Sequence, residues 1–299
     1  MRIFTAGLIL AMVFACSSGK TTEEQEFMAG LDTTKTLGPS ISEEVINDIL
    51  QRIPAPLEIS VLLKESGKQY NASFLNPTDN ISRYNTNYKK ALNLGIYGTD
   101  LGYTNIYEQN NDGIKYMASI KELADGLNIG QFFQIETIGR LATNSQNLDS
   151  LLLLTTQNFN SINHYLQTQS RANLSVLLLT GGWLEALHII CNVAAASPEN
   201  KQLQETVGEQ KIILENIVAL LSYYKDSDSN MASLLEDLRA LERSFDKVNI
   251  TYTYKASSFE IVDGVMVIKD NSTSTVEITP KDVEQIGAIT KNIRTKIIS

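Results

Sequence analysis

The sequence predicts a mainly α-helical protein: a multi-helix, bundle-like body, then a small C-terminal β-hairpin or strand segment and a terminal helix. Three observations carry this. Through most of residues 40–249 apolar residues recur every three or four positions, the repeat that lines one helix face. The period then drops to two at Ile250-Thr251-Tyr252-Thr253-Tyr254, β-branched and aromatic as strands are. Beyond Thr279-Pro280 helical spacing returns, with Val283, Ile286, Ile289, Ile293 and Ile297 as the buried stripe.

Residues 1–15 read as a signal peptide: Arg2 supplies the positive end, and positions 3–14 are apolar but too few for a stable membrane span. Val13-Phe14-Ala15-Cys16 resembles the lipobox of bacterial lipoproteins, with Phe14 where a small residue is usual. Cys16 is therefore the expected lipidation site, carrying acyl chains such as palmitate. Several chains, at about 0.8 kcal/mol per buried methylene, would hold the protein at a membrane. The competing reading is a secreted chain cleaved near Ala15. Residues 16–39 are polar and read as a flexible tether. Ser17 argues for the outer membrane, and the late Glu23 and Glu24 leave its periplasmic and surface faces both open.

The elements follow in order. Ser40 and Glu43 form a capping-box pair before Val45, Ile46, Ile49 and Leu50. Pro54 and Pro56 break that helix, and a short one covers 57–64. Residues 67–80 are loop-like, with Asn76-Pro77 as a turn signal. A helix over 88–108 is closed by a turn at Asn110-Asn111-Asp112-Gly113. Ile114, Met117, Leu123, Ala124 and Leu127 mark the next helix, ended by Gly130, and a short helix covers 132–142. Leu148, Leu151, Leu152, Thr155, Phe159, Ile162 and Leu166 make the cleanest apolar stripe in the chain. The run 172–196 is apolar enough for a membrane span, but Glu185, His188 and Asn192 would be costly in hydrocarbon, so a buried central helix is expected. Helices over 203–224 and 231–248 complete the body, which spans 40–249. Within 250–299, Asp263-Gly264 is a hairpin turn between 259–262 and 265–268, and Val276-Glu277-Ile278 adds a strand.

Two polar stripes are the candidate ligand-binding residues. At 100° per residue, Asn93, Tyr97, Asp100 and Thr104 share one side of the 88–108 helix, opposite Ala91, Gly95, Gly98 and Gly102. Each helical glycine costs about 1 kcal/mol against alanine, and close approach of a neighbouring backbone is the expected reason. On the 172–196 helix Gly181, Glu185, His188 and Asn192 share a side, while Trp183, Leu187 and Cys191 occupy another. Two readings stand. Either the stripes converge on a polar pocket beside Trp183, or each is solvated or hydrogen-bonded internally.

The run Lys90 to Tyr103 (KALNLGIYGTDLGY) and the run Leu179 to Leu187 (LTGGWLEAL) are similar to recurrent segments of helical lipoproteins of the Bacteroidota, a group without a known activity. Ser82 to Tyr88 and Glu209-Gln210-Lys211 fit the same group, and the resemblance spans 70–241. It implies an all-helical fold and brings no catalytic role with it.

Enzyme signatures are missing: there is no Gly-x-Ser-x-Gly elbow, phosphate-cradling glycine loop or His-Glu-x-x-His helix. Glu185 and His188 have the Glu-x-x-His spacing of di-metal bundles, but the only other histidine, His164, follows Ser161 at that spacing, so the ligand set is incomplete. No metal or cofactor is expected, and His164 reads as a surface or capping residue. With a net charge of -9 and no basic cluster, nucleic acid is not an expected partner. Cys191, the only cysteine besides Cys16, reads as a buried small hydrophobe. The leading expectation is a non-catalytic envelope lipoprotein, anchored at the outer membrane, whose helical body binds a small ligand or a partner protein. The alternatives are an assembly component that pairs through its β segment and an enzyme of unrecognised type.

Overall fold

The computed structural model describes residues 57–299 except 134–147, 227, 257, 263–264, 270 and 272. The signal peptide, Cys16, the tether, the helix expected after Ser40, most of the short helix over 132–142 and the Asp263-Gly264 turn lie outside the described residues. Within them the predicted class is observed, as eight α-helices and four short strands. The helices are α1 (Leu57–Glu65), α2 (Asn87–Ile106), α3 (Asn110–Gly126), α4 (Leu148–Thr168), α5 (Ala172–Ala195), α6 (Lys201–Tyr224), α7 (Ser229–Ser244) and α8 (Pro280–Ile298). Short 3-10 turns at Ala72–Phe74 and Thr78–Arg83 shape the segment between α1 and α2.

Helix α5 is the core. It is long and apolar enough to cross a membrane by length and composition, yet 94% of its most apolar window is buried by protein, with α2, α8, α6, α4 and α1 packed around it. Its closest neighbour is α2. A Cβ on Gly95 would overlap the carbonyl oxygen of Leu178, and one on Gly181 would overlap that of Leu92. The two backbones thus touch at a pair of glycines, and Thr99 Oγ1 donates to the Gly182 carbonyl at 2.9 Å across the same crossing. Gly98 departs from expectation: it is exposed, and a Cβ there meets nothing within 4 Å. It sits on the solvent side of the crossing.

Four helices end in one way. Gly67, Glu108, Asn128 and Ser170 take φ of 73°, 59°, 57° and 55° after α1, α2, α3 and α4. In each case the next N–H bonds five residues back, as Gln109 does to Thr104 O at 2.8 Å and Arg171 to Leu166 O at 2.7 Å. This is the Schellman arrangement, which satisfies carbonyls that a helix end leaves open. It corrects the expected turn at Asn110–Gly113. The chain reverses at Glu108, and those four residues begin α3, with Asp112 favourably placed in its first turn. The buried face of α3 is correspondingly Gly113, Tyr116, Ile120, Leu123 and Ala124, and Ile114 is 59% exposed rather than inward.

The strands form two antiparallel two-stranded pairs, together termed the ribbon. β1 (Asn249–Thr253) pairs antiparallel with β4 (Thr273–Glu277), and β2 (Ser258–Val262) with β3 (Val265–Lys269). Thr253 faces Thr273, and Ser258 faces Lys269, so four residues on one side oppose three on the other. The side chain of Asn271 bridges this offset, donating to Ala256 O at 2.8 Å and Ser258 Oγ at 3.1 Å. The base of the ribbon rests on α6 at Gly208, where a Cβ would collide with Val276, and Lys211 Nζ holds the Val248 carbonyl at 2.8 Å. The return strand runs into α8, whose Thr279 and Asp282 make the expected N-terminal cap reciprocal.

The crossing sets a contrast between glycines. Gly95→Ala and Gly181→Ala force α2 and α5 apart and should each cost about 2–3 kcal/mol by overpacking. Gly98→Ala should stabilise by about 1 kcal/mol through helix propensity alone. Urea unfolding of the three variants checks both signs.

Candidate functional site

The site grows from one cation on the inner side of α8. Arg294 follows Ile293 in the buried stripe and is 8% exposed. Its Nε donates to Glu185 Oε2 at 2.5 Å and its Nη2 to Glu185 Oε1 at 2.6 Å, a two-pronged match of planar fork to carboxylate. The same Nη2 donates to the Phe74 carbonyl at 3.1 Å. Glu185, on α5, is fully buried. Both its oxygens are occupied by one guanidinium.

Asp100, also fully buried, completes the cluster from α2. Its Oδ2 accepts from the Asn76 N–H at 3.1 Å, while Oδ1 has no donor among the described residues. Burial, and then the neighbouring Glu185 charge, push this carboxyl well above the usual range, against the opposing Arg294 charge. Asn76 is the polar hub. Its Nδ2 donates to Tyr84 Oη at 3.0 Å and Asn93 Oδ1 at 3.3 Å, and its carbonyl accepts from Tyr116 Oη at 3.0 Å. Tyr97 Oη donates to Pro77 O at 3.0 Å. Burial pushes the phenols of Tyr84, Tyr97 and Tyr116 up, so all three remain neutral donors.

Of the sequence candidates, Asn93, Tyr97, Asp100 and Glu185 meet here, in one hydrogen-bonded region between α2, α5, α8 and the 71–84 segment. His188 lies one turn along α5, 7% exposed. Burial, then the charges of Arg294 and Lys291, push its imidazole down to about 3, so it is neutral at ordinary pH. Asn192 Nδ2 sits 3.3 Å from its Nδ1 and donates to its own-turn carbonyl, His188 O, at 2.6 Å. Trp183 does not join them. Two residues before Glu185, it points about 200° away and donates Nε1 to Gln210 Oε1 of α6 at 3.0 Å. The two stripes thus meet at Asp100 and Glu185 as buried groups bonded within the protein, and Trp183 stands apart from them.

Sequence reasoning missed Arg294, Asn76, Tyr84 and Tyr116. Arg294 carried a signal, a cation four residues after Thr290 and one after Ile293 on a buried stripe. Asn76 did not, because before Pro77 it reads as an ordinary turn residue. His164 is exposed, and Cys191 is buried with its thiol pushed up by burial. Among the described residues no group of three or more His, Cys, Asp or Glu side chains could hold a metal ion. Chemically, the arrangement fixes helices by spending its donors and acceptors on one another. Comparison of the chain with protein-family models, with curated proteins and with solved structures finds no match in any of the three.

Removing one member of the ion pair leaves the other buried and unpaired. Arg294→Gln should cost about 3–5 kcal/mol, and adding Glu185→Gln should recover part of that loss. Denaturant unfolding of both singles and the double reads the coupling.

His188 gives an acid sensitivity of known sign. Its folded value lies below its unfolded one, so its contribution is intact above about pH 6.5 and declines as pH falls toward 3. Between pH 7 and pH 5 the native protein should lose about 2 kcal/mol more than His188→Gln, read by denaturation at the two pH values.

Proposed function

We propose that this chain is a non-catalytic, lipid-anchored envelope protein whose helical body holds out a β-ribbon for a partner protein. One observation carries the reading. Tyr252, on the first strand of the ribbon, and Tyr254, just past its end, are 63% and 74% exposed. They lie two and four residues beyond Ile250, which is half-buried and pairs with Val276 of β4, itself buried against α6. The face that seats the base on the body thus continues outward as uncovered aromatic surface. Two-stranded ribbons are marginally stable alone, and their open edges are ready templates for another strand. Thr251, Thr253, Thr273, Ser274 and Thr275 surround the tyrosines with exposed hydroxyls, and no charge interrupts 249–254. Tyrosine amid small polar residues is the composition of adaptable protein-binding surfaces.

The rival reading, a small ligand held by the polar stripes, is weaker on the same grounds. Asn93, Tyr97, Asp100 and Glu185 are fully buried, and their groups bind one another rather than an opening. Anchoring at Cys16, an outer-membrane location and kinship with the Bacteroidota lipoproteins belong to the proposal and rest on the signal-like N-terminus and the two similar segments.

The native protein should run as a larger complex in native gels of detergent-solubilised membranes, and Tyr252→Ser with Tyr254→Ser should leave folding intact and abolish that complex; a native protein that runs alone would count against the proposal. A complex that survives both substitutions would refute the ribbon as the docking element. Cys16→Ala should lose acyl labelling and leave the membrane fraction, and protease added to intact cells reports the face.

A further inference from the structure

We infer that Asp100 is a neutral acid in the folded protein, its proton on Oδ1 and donated to Glu185, and that this proton makes the seat of α8 pH-sensitive. The charges in the cluster require it. Two fully buried carboxyls, Asp100 and Glu185, face one guanidinium, and both prongs of that guanidinium are already on Glu185. Asp100 Oδ2 has the Asn76 N–H, and Oδ1 has nothing. An ionised carboxylate oxygen without a donor in a dry core is among the costliest polar groups a fold can hold. A proton on Oδ1 turns the orphan acceptor into a donor, and Glu185, within hydrogen-bonding reach, is the acceptor available to it. The cluster then carries one positive and one negative charge.

No other group around Asp100 supplies the missing charge. From the 70–84 segment come the phenols of Tyr70 and Tyr84, from α2 Tyr97 and from α3 Tyr116, all neutral. From α5 come Glu185 and the neutral His188, and α8 brings Arg294, with Lys291 acting on His188. Loss of the proton would set a second negative charge against Glu185 and loosen the pair that holds α8 to α5. Tyr84 Oη on Ile298 O, Asn93 Nδ2 on Ile297 O, Lys89 Nζ on Ser299 O and Lys296 Nζ on Asp237 Oδ1 would then carry more of the hold on the helix end.

The sign follows from linkage. The folded state keeps a proton that the unfolded chain gives up near the ordinary carboxylate value, so the stability tied to it is present at low pH and lost as pH rises toward the folded value. Asp100→Asn is the isosteric neutral form, able to accept from Asn76 and donate to Glu185. Its folding constant relative to native should therefore grow with pH, by up to about tenfold per unit. A ratio that stays flat between pH 5 and pH 9 would overturn the inference. The second readout needs no variant to fold: infrared spectra of the native full-length protein at neutral pH should show the carbonyl stretch of a protonated carboxylic acid. That band should vanish in Asp100→Asn and persist in Glu209→Gln, the exposed glutamate on α6 whose carboxyl burial also pushes up. Its absence from the native protein, or its persistence in Asp100→Asn, would refute the assignment.

Discussion

The fork of Arg294 on Glu185 is the interaction on which the arrangement of this protein depends. Bringing a guanidinium and a carboxylate out of water costs several kcal/mol for each ion, and near-ideal geometry with further hydrogen bonds offsets it. The surrounding structure supplies several such bonds. Phe74 takes the remaining bond of Nη2, Asn76 covers one oxygen of Asp100, and Tyr84, Asn93 and Lys89 receive the last carbonyls of α8. The pair therefore does more than attract. It specifies where the last helix lies, because an α8 seated elsewhere would leave a charge buried and unpartnered.

Helix α5 serves two neighbours with opposite demands. Toward α2 it must have no side chains, since the backbones meet at Gly95 and Gly181. Toward α8 it must present a long carboxylate. Residues 181 and 185 lie one turn apart and meet both demands from one helix. The cost is real, about 1 kcal/mol of helix propensity for each glycine, but it is smaller than the overpacking that any side chain at the crossing would cause. The same logic explains the apolarity of α5. It is covered on all sides by protein, so its composition reflects burial in the body rather than contact with lipid.

The ribbon stands in contrast to the body. Its base is seated by Gly208 and Val276, where the absence of one Cβ admits a neighbouring side chain, and beyond that point exposed tyrosines and hydroxyls take over. An element so placed has little packing of its own to stabilise it.

Much of the fold was legible in the sequence because its signals are local. Helical spacing located α2, α4, α5, α6 and α8 to within a few residues, the change of period marked the strands, and Thr279-Pro280 announced the start of α8. Where the local signal was ambiguous the reading slipped: polar Asn110 to Gly113 looked like a turn, whereas Glu108, with no turn signature, takes the left-handed conformation that reverses the chain. The polar stripes of α2 and α5 were also readable, and so was the need of a glycine for close contact. Only tertiary structure decided that Gly95 rather than Gly98 makes that contact, that Trp183 turns toward Gln210, and that Glu185 is answered by Arg294 from 109 residues away. The physical reason is that periodicity reports which way a side chain faces along its own helix. Which group waits on the other side is set by how distant segments pack, and no local pattern records it.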